Sequence, residues 1–253
     1  MRFDLHTHYY PPAYFERIER SGGDFSFGTS PTGQRIIRYK GARFFGVTAP
    51  MTDVAKRLED MDRVGIDTEV LSLSTPNVYF VEGKAQADVA RLANDAYAEL
   101  AQKHRGRFLG FASIPMDDPD SAPRELERAM DELHMQGVVV LSNIRGRALA
   151  DPVYRPFFEE ADRRKVCVFV HPMIPAAADA FTEYVLGPIV GFPTRRSRSP
   201  SSATPASSSS FRISAGSSGT RAAPSPTSWS GWTRAGGTLL NVASASISRR
   251  PFI

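Results

Sequence analysis

The chain has a single cysteine, Cys167, in 253 residues, so it can form no internal disulfide. A lone thiol inside the apolar run "VCVFV" reads as a small buried hydrophobe in a reducing compartment, and the protein is expected to be cytoplasmic. Long apolar runs are also missing. The N-terminus has no hydrophobic leader, and nothing approaches the roughly 18 to 20 apolar residues that span a bilayer, so no membrane association is expected. A third absence divides the chain. From Arg195 to Ile253 there is no Asp, Glu, Lys or His, although all 27 acidic residues and all five histidines precede that point. Eight of the 31 basic residues lie in this stretch, which leaves 23 against 27 acidic residues in 1–194, a net charge of −4. The basic pI of the whole chain comes from its last quarter.

Up to about Gly191 the sequence alternates strand-like and helix-like patterns. Strands are predicted near 2–8, 68–73, 107–113, 138–142 and 166–171. Between them, "PPAYFERIERSG", "MTDVAKRLEDMDRVGID", "GKAQADVARLANDAYAELAQKHRG", "DPDSAPRELERAMDELHMQG" and "DPVYRPFFEEADRR" carry helical spacing, with Pro or Asp at the starts and Gly at several ends. Repeated β-then-α order with continuous apolar strands such as "VVVL" and "VCVFV" predicts an α/β fold, a parallel sheet covered by helices. The length admits one large α/β barrel or two ordinary domains.

Two histidines stand one residue apart in "DLHTHYYPP". Side chains two apart on a strand share a face, so His6 and His8 can present two imidazoles to one divalent metal. The alternative is a chance pair of polar residues on an edge strand. His171 adds a third candidate, because it ends a buried strand and Pro172 breaks that strand at the edge where α/β barrels assemble their sites. Three neutral imidazoles with an open position make a zinc-type catalytic site. His104 and His134 instead precede a glycine at the end of a helical pattern, where a partly cationic ring favours the helix dipole; both read as structural.

The segments "FDLHTHYYPP", "RLEDMDRVGIDTEVLSLSTP", "GRFLGFASIPMDDPDSAPRELERAM", "LADPVYRPFFEEADRRKVCVFVHP" and "GFPT", in this order, resemble the amidohydrolase-related family that contains aminocarboxymuconate-semialdehyde decarboxylase and other non-oxidative aromatic decarboxylases. The resemblance runs from residue 2 to Thr194. It implies a (β/α)8 barrel of the metal-dependent hydrolase type, incomplete after about residue 194. It also implies a divalent metal, zinc or alternatively manganese, on His6, His8 and His171, and decarboxylation of a small aromatic or muconate-type carboxylic acid. A late Asp ligand and a catalytic His in an "H-x-G-G" segment belong to the family pattern and have no match here, so no catalytic residue is assigned. A metal-dependent hydrolase of a lactone or amide is the alternative within the same site chemistry.

Residues 195–253 read as a disordered Ser/Arg/Pro-rich tail. Such composition is also what GC-rich coding DNA yields out of frame. A one-base shift lets the codons from Arg195 to Ser201 read Glu-Thr-Ile-Ala-Leu-Ala-Val, continuing "GFPT" as the family does, and the same frame lets Thr220 to Thr233 read with a His-Ala-Gly-Gly segment. A frameshift near codon 195 is therefore expected to have replaced the last third of the barrel, leaving 1–194 as a partial barrel and the chain impaired or inactive, with exposed strand edges prone to homodimer formation. A nucleic-acid-binding role for the arginines is disfavoured, because they are scattered and residues 1–194 are acidic.

Overall fold

The computed structural model describes residues 1–173 and the pair 214–215. The chain opens with strand β1 (Phe3–His8), helix α1 (Pro12–Ser21) and an antiparallel meander of β2 (Phe25–Thr29), β3 (Arg35–Tyr39) and β4 (Ala42–Gly46). Then come α2 (Val54–Val64), β5 (Thr68–Ser72), α3 (Lys84–Lys103), β6 (Phe108–Ser113), α4 (Ser121–Asp131), β7 (Gly137–Leu141), the short hairpin β8 (Asn143–Ile144) and β9 (Arg147–Ala148), α5 (Arg155–Arg163) and β10 (Val168–His171). A final two-residue strand, β11 (Ser214–Ala215), pairs parallel with β10. The principal sheet has the order β1-β5-β6-β7-β10-β11, with parallel neighbours throughout. Strands that follow one another through a helix lie side by side, the arrangement of a (β/α) barrel. The five parallel strands before residue 174 fall within two residues of their predicted ranges.

Local chemistry explains the helix ends. Asp53 caps α2, its carboxylate accepting from the Ala55 and Lys56 amides at 2.8 and 3.1 Å. Gly65, at φ 71°, closes the same helix: the Ile66 amide donates to the Met61 carbonyl and the Gly65 amide to the Asp62 carbonyl. Helix α3 buries Gln86, Val89, Ala90, Ala93, Asn94 and Tyr97, positions at helical spacing that turn one stripe to the sheet.

Two features depart from the sequence reading. The β2–β4 meander was not anticipated, although Lys40 (φ 48°) and Gly41 (φ 79°) form the two-residue turn that suits a hairpin. On α2 the apolar residues at helical spacing are Val54, Leu58, Met61 and Val64. Met61 is buried, but Val64 is exposed and the other fully enclosed side chain is Arg57. The irregular tail and its boundary lie outside the described residues, apart from Ser214–Ala215.

The sheet curls. Leu5, Val70, Leu109, Phe111, Val139, Cys167 and Phe169 form an apolar cluster apart from the main core beneath the helices. They come from β1, β5, β6, β7 and the chain around β10, so they fill the inside of the curve. Burial there raises the Cys167 thiol pKa, consistent with its packing role.

Candidate metal centre

Strand β1 does not run as a plain alternation. Asp4 is opposite Glu69 and Thr7 opposite Leu71, so three steps along β1 face two along β5, a β-bulge. The bulge shifts side-chain parity by one. Leu5 packs into the inner apolar cluster, and His6, the next residue, sets its ring 5.1 Å from Phe169 in the same cluster. The amide of His6 is satisfied by the Asp4 carboxylate at 3.0 Å. Beyond the bulge His8 is in register with Ser72, whose hydroxyl meets its ring.

His171, at the end of β10, completes a triangle with this pair. Ring centroids are separated by 4.9 Å for His6–His8, 5.2 Å for His6–His171 and 4.8 Å for His8–His171. One ring nitrogen of each lies within 4.8 Å of the other two. The tightest approach joins the Nε2 atoms of His8 and His171, 3.2 Å apart. Two nitrogens bound at about 2.0–2.1 Å to one ion, at angles of roughly 90–110°, lie about 2.9–3.4 Å apart, so this pair fits a shared metal.

The hydrogen bonds fix which ring nitrogens carry protons. His171 Nδ1 lies 2.8 Å from the Pro172 carbonyl, which can only accept, so Nδ1 is the donor. The Ser72 hydroxyl donates to the Thr7 carbonyl at 2.9 Å and therefore accepts from His8 Nδ1 at 3.2 Å. In the neutral rings both Nε2 atoms then present lone pairs to each other. Such an arrangement is relieved by a proton shared between the two nitrogens or by a metal ion bound to both. Burial pushes His8 well below the ordinary imidazole pKa, and its neighbours His171 and His6 act in the same direction. A buried ring held neutral is the form that ligates metal.

The surroundings hold the histidines in place. The loop after β5 sends the Ser74 hydroxyl to within 3.4 Å of His171 Nε2, and the Thr75 hydroxyl donates to the Pro172 carbonyl at 3.4 Å. Tyr97 donates to the Tyr9 carbonyl at 2.6 Å, tying α3 to the segment after β1. On the inner side of β6, the Ser113 hydroxyl is fully buried and has no hydrogen-bond partner among the described residues. Sequence reasoning missed these hydroxyls, which have no motif to mark them.

His104 and His134 lie elsewhere. His104 caps the end of α3, its amide bonded to the Leu100 carbonyl and its ring 5.7 Å from Phe108. His134 lies three residues past the end of α4 in a left-handed conformation, φ 54°; the helix stops one turn sooner than its sequence pattern implied.

Comparison with known proteins gives the family and the fold. Residues 3–194 match the model of the Amidohydrolase family. The chain belongs to that family. It is 30% identical over 197 residues to 2-amino-3-carboxymuconate-6-semialdehyde decarboxylase of Dictyostelium discoideum, covering 76% of this chain and 55% of the relative. The solved 2,6-dihydroxybenzoate decarboxylase from Rhizobium superposes with a TM-score of 0.55 at 29% identity, over 76% of this chain and 56% of that one. A 5-carboxyvanillate decarboxylase from Novosphingobium aromaticivorans, solved with manganese and a nitrobenzoic acid, shares the fold at 22% identity and a TM-score of 0.63, over 74% and 56%. The chain spans about half the length of the curated relatives it matches.

Proposed function

We propose that His6, His8 and His171 hold a divalent metal, zinc or manganese, and that the scaffold serves decarboxylation of a small aromatic or muconate-type carboxylic acid. The opposed Nε2 lone pairs of His8 and His171, 3.2 Å apart, carry this reading. A bound metal in such a site orients the carboxylate or an adjacent hydroxyl of the acid and stabilises the charge that develops on it. The chain's own residues supply the rest. The inner cluster of Leu5, Val70, Phe111, Val139 and Phe169 keeps water from below the ligands. Ser72 and the Pro172 carbonyl hold the two Nδ1 protons away from the centre. A lone, partly buried thiol suits a reducing, cytoplasmic setting.

The proton that replaces CO₂ on the ring needs a donor, and the histidines outside the triangle, His104 and His134, lie at and beyond the ends of α3 and α4. Residues 195–253 contain neither a carboxylate nor a histidine. We therefore infer that this chain holds metal through three neutral ligands and turns over poorly, and that a frame restored at codon 195 returns the missing His of the His-x-Gly-Gly segment. The test is CO₂ release from 2,6-dihydroxybenzoate and related hydroxybenzoates by this chain and its frame-restored version, with manganese or zinc supplied. The restored protein is expected to be at least about 100-fold faster. Equal rates would show that the tail is no lesion. No CO₂ from a restored protein that has bound metal would overturn the decarboxylase reading.

A further inference from the structure

Arg57 is a buried guanidinium on a helix whose exposed face is otherwise charged, and sequence periodicity gives no reason for its burial. Its side chain is 6% exposed. It uses its whole planar fork. Nε donates to the Pro50 carbonyl at 2.8 Å, one terminal nitrogen meets the Glu69 carboxylate at 2.5 Å, and the other donates to the carbonyl of His8. The cation also lies 5.8 Å from the centroid of the Tyr9 ring. One group thus fastens the turn before α2, the outer face of β5 and the end of β1.

The bulge makes that last contact consequential. Between Asp4 and Thr7 the regular ladder to β5 is interrupted, so the strand segment carrying His6 and His8 loses part of the pairing that would fix its peptide planes. What replaces it is a clamp on both sides. From the lumen, the Ser72 hydroxyl takes the Thr7 carbonyl. From the helix side, Arg57 takes the carbonyl of His8 itself. Glu69, in register with Asp4 and 12% exposed in its side chain, holds the guanidinium in that orientation.

We propose that Arg57 is a positioning residue for the ligand His8: acting through the His8 carbonyl rather than on any substrate, it aims the imidazole at the metal. The proposal rests on the metal site proposed above. Partners that orient a ligand from behind typically account for about 10–100-fold in metal affinity, and Lys cannot replace a fork that serves three acceptors at once.

The test is metal affinity and geometry in the full chain. Zinc dissociation constants are measured by competition with a chromophoric chelator, and the visible absorption of the cobalt-loaded protein reports ligand geometry. Arg57→Gln and Arg57→Lys are expected to bind zinc at least about 10-fold more weakly, with an altered cobalt spectrum. Leu126→Ala, which opens a cavity on α4 away from the site, should lower stability and leave affinity and spectrum unchanged. Native affinity and spectrum in Arg57→Gln, or losses no greater than in Leu126→Ala, would overturn the proposal. If the Arg57 variants do not fold, Glu69→Gln decides instead: a weaker zinc site with a shifted spectrum supports the clamp, and native behaviour rejects it. His8→Ala separates the two levels of inference, because equal zinc binding by this variant and the native chain would overturn the metal site itself and the proposal with it.

Discussion

The Nε2 atoms of His8 and His171 lie 3.2 Å apart, although β5, β6 and β7 separate their strands in the sheet. Only a curled sheet brings the inner faces of its first and fifth strands together. The apolar side chains inside that curl form the floor on which the histidines stand.

Ser72 accepts from His8 Nδ1 and donates to the Thr7 carbonyl, so Ser72→Ala removes the group that fixes the His8 tautomer. Zinc affinity is expected to fall by about 10-fold while the fold persists. Chelator competition measures it. An unchanged constant would show that the serine does not set the tautomer.

The pH dependence of folding follows from His8. Its pKa in the fold is depressed, first by burial and then by His171 and His6, from about 6.5 in the unfolded chain. Between the two values the unfolded chain binds more protons, so stability of the metal-free protein rises with pH through this window and is lost as pH falls below about 6.5. Urea midpoints should be lower at pH 5.5 than at pH 7.5, and the difference should shrink in His8→Ala.

Gly137 begins β7 where an added Cβ would lie 2.5 Å from the Cys167 carbonyl and 3.1 Å from the Cys167 Cβ. The first obstacle is backbone and cannot swing away. Gly137→Ala should therefore cost about 1–3 kcal/mol or more, read as a lowered denaturation midpoint; a neutral result would mean that β7 and the chain before β10 are not packed this closely.

Tyr97 is fully buried and bonds the Tyr9 carbonyl at 2.6 Å. Tyr97→Phe keeps the ring and leaves that carbonyl without its donor, at a cost of about 1–3 kcal/mol. Because Tyr9 follows His8, a fall in zinc affinity is also expected. Calorimetry with and without zinc resolves the two effects.

The order of strands and helices was legible in the sequence, because hydrophobic period and end signals are local: "VVVL" and "VCVFV" suit buried parallel strands, and Asp53 and Gly65 bracket α2 as start and stop. It also offered the three histidines as candidate ligands, through an H-x-H pair and a strand-ending His. It did not reveal that β1 carries a bulge. Plain alternation puts His6 and His8 together but leaves Leu5 on the opposite face, whereas the fold turns Leu5 and His6 inward one after the other. Nor could helical spacing foresee that Arg57 is buried and Val64 exposed on α2. That choice depends on an acceptor set, Pro50, Glu69 and His8, assembled from three separate stretches of chain. Periodicity records where an element has a buried side. Which polar atoms meet there, and so which tautomers and ring directions the site adopts, is set by long-range hydrogen bonds that exist only once the sheet has curled.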